Sequence, residues 1–234
     1  MGGFANNAPI VTDGLVFYVD AGNGLSYPGS GTTVTDLISG TDGTLTNGAT
    51  YSSNNAGLIV CDGINDYIDF DSFESYVPTS EGTFNVFVRP TDLTITSGEK
   101  MYMVYEVNNS NNITIMLRYY GGSAKIQWRY KAGGTTELRT IDASNFSTSD
   151  FYLFSLTYSV TNNRMRAYSN GVQVQGDLDV GGTWAGGTGR FGLGADTNGT
   201  HYVPAEISHA SIYNRELSAA EITQNYNALK NRFV

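Results

Sequence analysis

The chain of 234 residues is 40% hydrophobic and only 15% charged, and its 16 tyrosines and 11 phenylalanines supply enough apolar surface for one sizeable core. Its formal net charge of -9 comes from scattered acidic residues and disfavours nucleic acid and anionic membranes as partners, because both would repel the protein. The single cysteine, Cys61, excludes a disulfide scaffold within the chain and is expected to be a small buried hydrophobic residue.

The N-terminal segment, residues 1–13, is rich in Gly and Asn and is predicted to be a flexible arm. It lacks the basic start and apolar core of a signal peptide, and no later run is long enough to span a membrane. No linker rich in Pro and Ser divides the remainder, so residues 14–234 are predicted to form one domain. We therefore expect a protein that is made in a cytoplasm without an export signal of its own.

Short runs of β-branched and aromatic residues then alternate with turns of Gly, Asn, Asp and Ser. Gly121-Gly122 and Asn170-Gly171 each predict a hairpin, because both positions of a type I′ turn need positive φ. Strands are predicted at residues 15–19, 57–61, 67–70, 83–89, 102–107, 113–120, 124–130, 151–159, 164–169, 172–175, 190–195 and 206–213. About a dozen short strands at this spacing predict an all-β fold of two antiparallel sheets packed as a sandwich.

One helix is predicted near the end of the chain, at about residues 218–231. Ser218 as N-cap and Glu221 three positions later form a capping box, and Leu217 and Ile222 can close a hydrophobic staple over it. Its apolar face is formed by Ile222, Tyr226, Leu229 and Phe233. We expect this helix to cover an apolar surface of the sandwich and to take no part in chemistry.

Several motifs along the chain resemble the laminin-G/concanavalin-A-like jelly-roll family, in the form found in bacterial surface and bacteriophage virion proteins. The motifs are CDGINDYI (61–68), FNVFVRP (84–90), FYLFSLTY (151–158), YSNGV (168–172), FGLG (191–194) and IYNRELSAAEI (212–222). The resemblance implies a concanavalin A-like jelly roll with a C-terminal α-helix that closes over the sandwich. In addition, GLVFYVDAGNGLSYPGSGTTVTDL (14–37) resembles the opening of phage-encoded members.

Jelly rolls of this kind include glycosidases, which need two carboxylates on either side of the scissile bond. Alternate residues of a strand share a face, so Asp69 with Asp71, and Asp177 with Asp179, have the required period. Both pairs lie beside turns and contain only Asp, which favours solvated strand ends. The chain has no zinc-binding His motif and no Gly-x-Ser-x-Gly elbow, so we expect a protein that is not an enzyme.

Calcium is a candidate cofactor, because the resemblance implies a cation held at the sandwich rim by Asp, Asn and carbonyl oxygens. The candidate ligands are Asp62, Asn65 and Asp66 in one turn and Asp196 and Asn198 in another. Ser208 stands where the family commonly has Asp, which removes one charged ligand. Ordinary Asx turns are the alternative interpretation of both segments.

A protein that binds sugars is expected to expose aromatic side chains that stack on the sugar rings. Trp184 is the best candidate, because its neighbours in GGTWAGG are too small to bury it locally, and Tyr202 lies in the next loop. The alternative for Trp184 is that it caps an edge of the core.

Two functional interpretations follow. The first is a non-enzymatic structural protein of a phage virion, either a head decoration or an accessory tail protein. Its expected partners are capsid or tail proteins, glycans of the host surface or the surroundings, and further copies of itself. The second is a lectin-like carbohydrate-binding module, or a glycoside-active enzyme, of bacterial origin.

Overall fold

The chain folds as a sandwich of two antiparallel sheets with one C-terminal helix, as predicted. A computed structural model describes residues 8–73, 80–184 and 189–233, with the side chains of Asp71 and Ser72 outside the description. The strands are β1 Leu15–Asp20, β2 Thr33–Thr35, β3 Asp42–Thr46, β4 Thr50–Ser52, β5 Leu58–Asp62, β6 Tyr67–Phe73, β7 Glu81–Pro90, β8 Glu99–Asn108, β9 Asn111–Tyr120, β10 Ser123–Ala132, β11 Thr135–Asp142, β12 Tyr152–Ser159, β13 Arg164–Ser169, β14 Val172–Gln173, β15 Gly189–Leu193 and β16 Pro204–Tyr213. Within the described parts, no helix has the length and apolar character needed to span a membrane.

Each sheet has eight strands within the described residues. Sheet 1 has the order β14-β13-β12-β7-β16-β5-β4, with β1 also paired to β16, and sheet 2 has the order β11-β10-β9-β8-β15-β6-β3-β2. Strands β8 to β11 form a continuous meander, in which consecutive strands pair. Consecutive strands also pair in β2–β3, β4–β5 and β12 to β14, whereas pairs such as β1 with β16 and β6 with β15 join strands distant in sequence. Such distant pairs bring late loops of the jelly roll against early strands.

The core lies between the facing surfaces of the two sheets. Phe17 of sheet 1 contacts Phe70, Phe73 and Phe191 of sheet 2 edge-on, with ring centroids 5.0–5.2 Å apart. Such edge contacts stabilise a core beyond the area they bury. Cys61 is 1% exposed, and burial raises the pKa of its thiol to about 12, so it is a buried core residue as expected.

The helix, α1 (Ala219–Leu229), covers the outer face of sheet 1. The capping box of Ser218 and Glu221 is confirmed, and Leu217 and Ile222 are both fully buried. Leu229 packs against Phe87 and Leu153 on the sheet. The α-helix ends at Leu229, slightly before the predicted end at about residue 231. A 3-10 turn over Lys230–Arg232 follows it.

A β-bulge at Ser208 decides which residues of β16 lie under this helix. The register of β16 against β7 shifts between Ile207 and His209. Before the bulge Ala205 and Ile207 point into the core, whereas after it Ala210 and Ile212 do. The extra residue therefore turns His209 out of the core and onto the face that α1 covers.

Two parts of the structure differ from the sequence-based expectation. Strands β2, β3, β4 and β11 lack a strong apolar pattern and were not predicted. Residues 9–13 are not a free arm: Val11 N–H donates to Asn225 Oδ1 (2.8 Å), and Tyr213 Oη donates to the Val11 carbonyl (2.8 Å). Residues 1–7 of the predicted arm lie outside the described residues.

Candidate functional site

The outer face of sheet 2, which points away from sheet 1, carries most of the polar chemistry near the middle of the meander. Because side chains alternate along a strand, Tyr130 and Trp128 of β10 point into the core while Arg129 and Lys131 point outward. The same alternation places Ile113 of β9 inward and its neighbour Asn112 outward.

A loop after β15, residues 194–201, crosses this face and is organised by Asp196. One carboxylate oxygen, Oδ1, accepts from the backbone N–H of Asn198 (3.1 Å) and Thr200 (2.7 Å). The other, Oδ2, accepts from Thr200 Oγ1 (2.7 Å) and lies 2.9 Å from Nδ1 of His201. Burial alone would raise the pKa of Asp196, but the hydrogen bonds from Thr200 and His201 lower it overall.

Both ends of β8 hold the loop in place. Met101 N–H donates to the His201 carbonyl (2.8 Å), and Thr197 Oγ1 donates to Glu106 Oε2 (2.9 Å). Between loop and sheet lies a cleft of about 410 Å³, called here the polar cleft. It is lined by Glu99, Met101, Val104, Glu106, Asn109, Asn112, Arg129, Lys131, Asp196, Asn198, Thr200 and His201. A second cleft of about 490 Å³ adjoins it and shares Glu106, Asn109 and Asn198.

The charges in the polar cleft are largely paired. Glu99 Oε2 lies 3.6 Å from both Arg118 Nε and Arg129 Nη1. Burial, partly offset by Glu99, lowers the pKa of the Arg129 guanidinium. Lys131 Nζ donates to the Asn109 carbonyl at 2.6 Å.

Several buried polar atoms on this face have no hydrogen-bond partner among the described residues. They are Asn112 Oδ1, Thr114 Oγ1, Gln127 Nε2 and Arg129 Nε. All four lie on the outward positions of β9 and β10, where Thr114 stands directly opposite Arg129. An unpaired buried polar atom costs about 1–3 kcal/mol. A ligand or water in this cleft would recover part of that cost.

The structure places Trp184 in the core and not on the surface. Its side chain is 6% exposed, and its ring stacks on Tyr105 and Tyr130 with centroids 6.0 and 5.9 Å away. The expected exposed stacking ring is therefore absent at Trp184, and the alternative, a cap on the core edge, describes its position. The neighbouring glycines suggested exposure, but distant strands cover the ring.

Tyr202 is half-buried beside the loop that holds Asp196. Its hydroxyl donates to the Gly199 carbonyl, and its ring lies 6.0 Å from that of Tyr67. It is not among the side chains that line the polar cleft.

The predicted calcium ligands lie in two neighbouring loops, Asp62, Asn65 and Asp66 in one and Asp196 and Asn198 in the other, and each of the three carboxylates accepts hydrogen bonds within the protein. A Cβ at Gly194 would stand 3.5 Å from the Asp66 carbonyl, so the two loops touch. Asp62 Oδ1 accepts from the backbone N–H of Ile64 (2.7 Å), Asp66 Oδ2 accepts from that of Asp62 (3.2 Å), and Asp196 is saturated by its own loop. No group of three or more His, Cys, Asp or Glu able to hold a metal occurs in the described chain. The carboxylates thus fit Asx turns and do not fit a calcium cage.

One aspartate of each predicted pair, Asp69 and Asp177, forms an ion pair with an arginine. Asp69 forms an ion pair with Arg190 (3.3 Å), and the side chain of Asp71 lies outside the described residues. Asp177 accepts two hydrogen bonds from Arg166, each 2.8 Å, which lower its pKa to about 2. Asp179 is exposed.

The lining residues of β8 to β10 were not singled out from the sequence. A signal for them exists, because "NNITIM" and "KIQWRYK" alternate polar with apolar residues and so indicate strands with one polar face. What the sequence does not show is which late loop folds over that face.

Comparison with known proteins identifies the fold family. Residues 62–223 match the sequence model described as the concanavalin A-like lectin/glucanases superfamily (Laminin_G_3). None of the curated protein sequences compared with the chain is significantly similar to it.

Several solved structures share the fold. The receptor-binding domain of botulinum neurotoxin C/D mosaic serotype is 16% identical, with a TM-score of 0.68 over 92% of this chain and 51% of that one. Trypanosoma rangeli sialidase in complex with sialic acid is 15% identical, with a TM-score of 0.67 over 96% of this chain and 34% of that one. Domain 4 of AbnA, an extracellular arabinanase from Geobacillus stearothermophilus in complex with arabinotriose, is 15% identical, with a TM-score of 0.67 over 91% and 98%. The chain thus spans only half or a third of the first two proteins.

Proposed function

The chain belongs to the concanavalin A-like lectin/glucanase superfamily, and on that premise we propose that it is a non-catalytic module that binds a glycan in the polar cleft. The observation that carries this proposal is a cleft of about 410 Å³ whose lining residues Asn112 and Arg129 each hold a buried polar atom without a hydrogen-bond partner among the described residues. Sugars bind in concave sites through such convergent polar groups. The adjoining cleft gives room for further sugar rings.

The three carboxylates that line the cleft, Glu99, Glu106 and Asp196, support a non-catalytic role. Seven positions at about 3.3 Å each separate Glu99 from Glu106 by roughly 20 Å. Glycosidases hold their two carboxyl groups about 5–10 Å apart. Asp196 has a lowered pKa and four hydrogen-bond contacts within its own loop, which suit a structural role and not that of a general acid.

The test is a glycan array probed with the purified chain, followed by NMR titration with the tightest-binding glycan. We expect amide shifts concentrated on β8 to β10 and residues 194–201. Failure of every glycan to bind, or shifts confined to the helix side of sheet 1, would refute the proposal. If the chain releases reducing sugar from a glycan and Glu106→Gln abolishes that release, the non-catalytic part of the proposal is refuted and the glycan-binding part stands.

A second candidate function is a structural protein of a phage virion, displayed as a head decoration or an accessory tail protein. It is favoured by the resemblance of residues 14–37 to the opening of phage-encoded members of the family. Its partners would then be capsid or tail proteins, and glycan binding would be its outward task. Mass spectrometry of purified particles tests it, because a virion protein must be present there in stoichiometric amounts.

A further inference from the structure

We propose that the polar cleft selects uncharged, hydroxyl-bearing sugar rings over acidic ones, and that Asn112 and Arg129 are the residues that recognise them. This inference rests on the proposed glycan-binding function and names the ligand class of the same site.

The first step is the chemistry of the two unpartnered atoms in the cleft lining. Asn112 is 6% exposed, and within the described part of the chain no group donates to its Oδ1 and none accepts from Arg129 Nε. The two residues are diagonal neighbours across β9 and β10, because Asn112 stands opposite Lys131. Diagonal neighbours on a sheet lie about 7–8 Å apart. Hydroxyls of one or two sugar rings can therefore reach both after a small rotation of each side chain.

The second step is that a hydroxyl can satisfy both atoms, which neither a carboxylate nor an ammonium group can do. A hydroxyl donates one hydrogen bond and accepts others, whereas a carboxylate only accepts and an ammonium only donates. A ligand carboxylate would leave Asn112 Oδ1 without a donor. A polyol can donate to Asn112 and accept from Arg129 at the same time.

The third step is the charge around the cleft. Its lining contains three carboxylates, those of Glu99, Glu106 and Asp196, and one arginine and one lysine, Arg129 and Lys131. Arg129 already faces Glu99 at 3.6 Å, and Lys131 donates to Asn109. An acidic sugar would add a further negative charge and share Arg129 with Glu99, in a chain whose net charge is -9.

The first experiment uses pairs of glycans that differ only in the acid group. Suitable probes are oligogalacturonides with their carboxyl-reduced forms, and sialyllactose with lactose, on an array and then by isothermal titration. We expect the neutral member to bind at least tenfold more tightly. Equal or tighter binding of the acidic member overturns the inference and leaves glycan binding intact. If no probe or array glycan binds, the proposed function and the inference both fail.

The second experiment tests the two residues with the tightest neutral glycan. Asn112→Ala and Arg129→Lys should each weaken binding at least tenfold, while Asn54→Ala, at an exposed asparagine between β4 and β5, should leave it unchanged. Thermal unfolding checks that each variant folds. NMR titration of the unsubstituted chain gives a readout independent of the variants, in which the Asn112 side-chain amide and Arg129 Nε–H signals should shift. Unchanged affinity in the folded variants, or unshifted signals, overturns the assignment.

Discussion

Acid should weaken the fold through one buried histidine, His209. Its side chain is 1% exposed, and neither ring nitrogen has a hydrogen-bond partner among the described residues. The ring lies 5.2 Å from Phe87 and 6.0 Å from Tyr18, beneath α1. Burial is the main cause of a pKa lowered from 6.5 to about 4; the nearby Asp20 raises it and Arg232 lowers it.

The direction of the effect follows from where the proton binds. Below pH 6.5 the unfolded chain takes up a proton at this residue, and the folded chain does so only near pH 4. Stability from this group is therefore complete at neutral pH and is lost as the pH falls through this window. One pKa unit corresponds to 1.36 kcal/mol, so the loss is about 2 kcal/mol from pH 7 to 5 and about 3 kcal/mol by pH 4.

The assay is urea unfolding at pH 7, 6 and 5, followed by tryptophan fluorescence. Both tryptophans are buried, Trp128 at 0% and Trp184 at 6% exposure, so their emission should report loss of the core. His209→Phe removes the titrating ring but keeps an aromatic side chain beside Phe87. We expect the stability difference between the original chain and this variant to shift by about 2 kcal/mol, in favour of the variant, between pH 7 and 5.

The control is Leu153→Met, a volume-conserving change at another buried residue beneath α1, which introduces no titrating group and should keep the original chain's pH dependence. A stability difference for His209→Phe that stays constant with pH would refute the reasoning, because it would mean that the folded state protonates His209 without cost.

Three further predictions use the same unfolding assay. Trp184→Ala should lose about 3–5 kcal/mol of stability, because it empties a site packed by Tyr105 and Tyr130, while the folded fraction keeps its glycan affinity. Ser218→Ala should lose about 1 kcal/mol, and Ser53→Ala, an N-cap without a side-chain hydrogen bond, should lose little. Arg232→Gln should lose about 2 kcal/mol of stability, because Arg232 Nη1 donates to both Asp20 carboxylate oxygens, at 2.8 and 2.9 Å. Since Arg232 lowers the pKa of His209 in the folded chain, the same variant should also lose less stability in acid.

The parts of the fold that were predictable are those determined by local chemistry. The capping box at Ser218 and the Asn170-Gly171 turn, with φ of 52° and 82°, are specified by a few adjacent residues. The strands absent from the sequence-based prediction, such as β11 and β3, lie at or near a sheet edge and contain few apolar residues, Leu138 and Ile141 in β11 and Leu45 in β3. They become strands because long-range partners supply their hydrogen bonds.

The candidate site was less predictable for the same reason. The Asx turn of Asp196 is local and was foreseen as an alternative. By contrast, Trp184 is buried by Tyr105 and Tyr130, which come from strands far away in the sequence. Asn112 and Arg129 become candidate ligands only when β9 pairs with β10 and residues 194–201 fold over both. The alternation of polar and apolar residues in β9 and β10 indicates a polar face, but it does not show that residues 194–201 fold over that face.

The two outer faces of the sandwich differ in a way that explains where a ligand can bind. The outer face of sheet 1 offers Phe87 and Leu153, and α1 buries them. The outer face of sheet 2 offers Glu99, Arg129 and other charged groups, which a packed helix would have to desolvate at high cost. Open binding surface therefore remains on sheet 2. His209 lies under α1, on the face opposite the polar cleft. Acid that loosens the helix should therefore reduce glycan binding only in proportion to the fraction of the sandwich that unfolds.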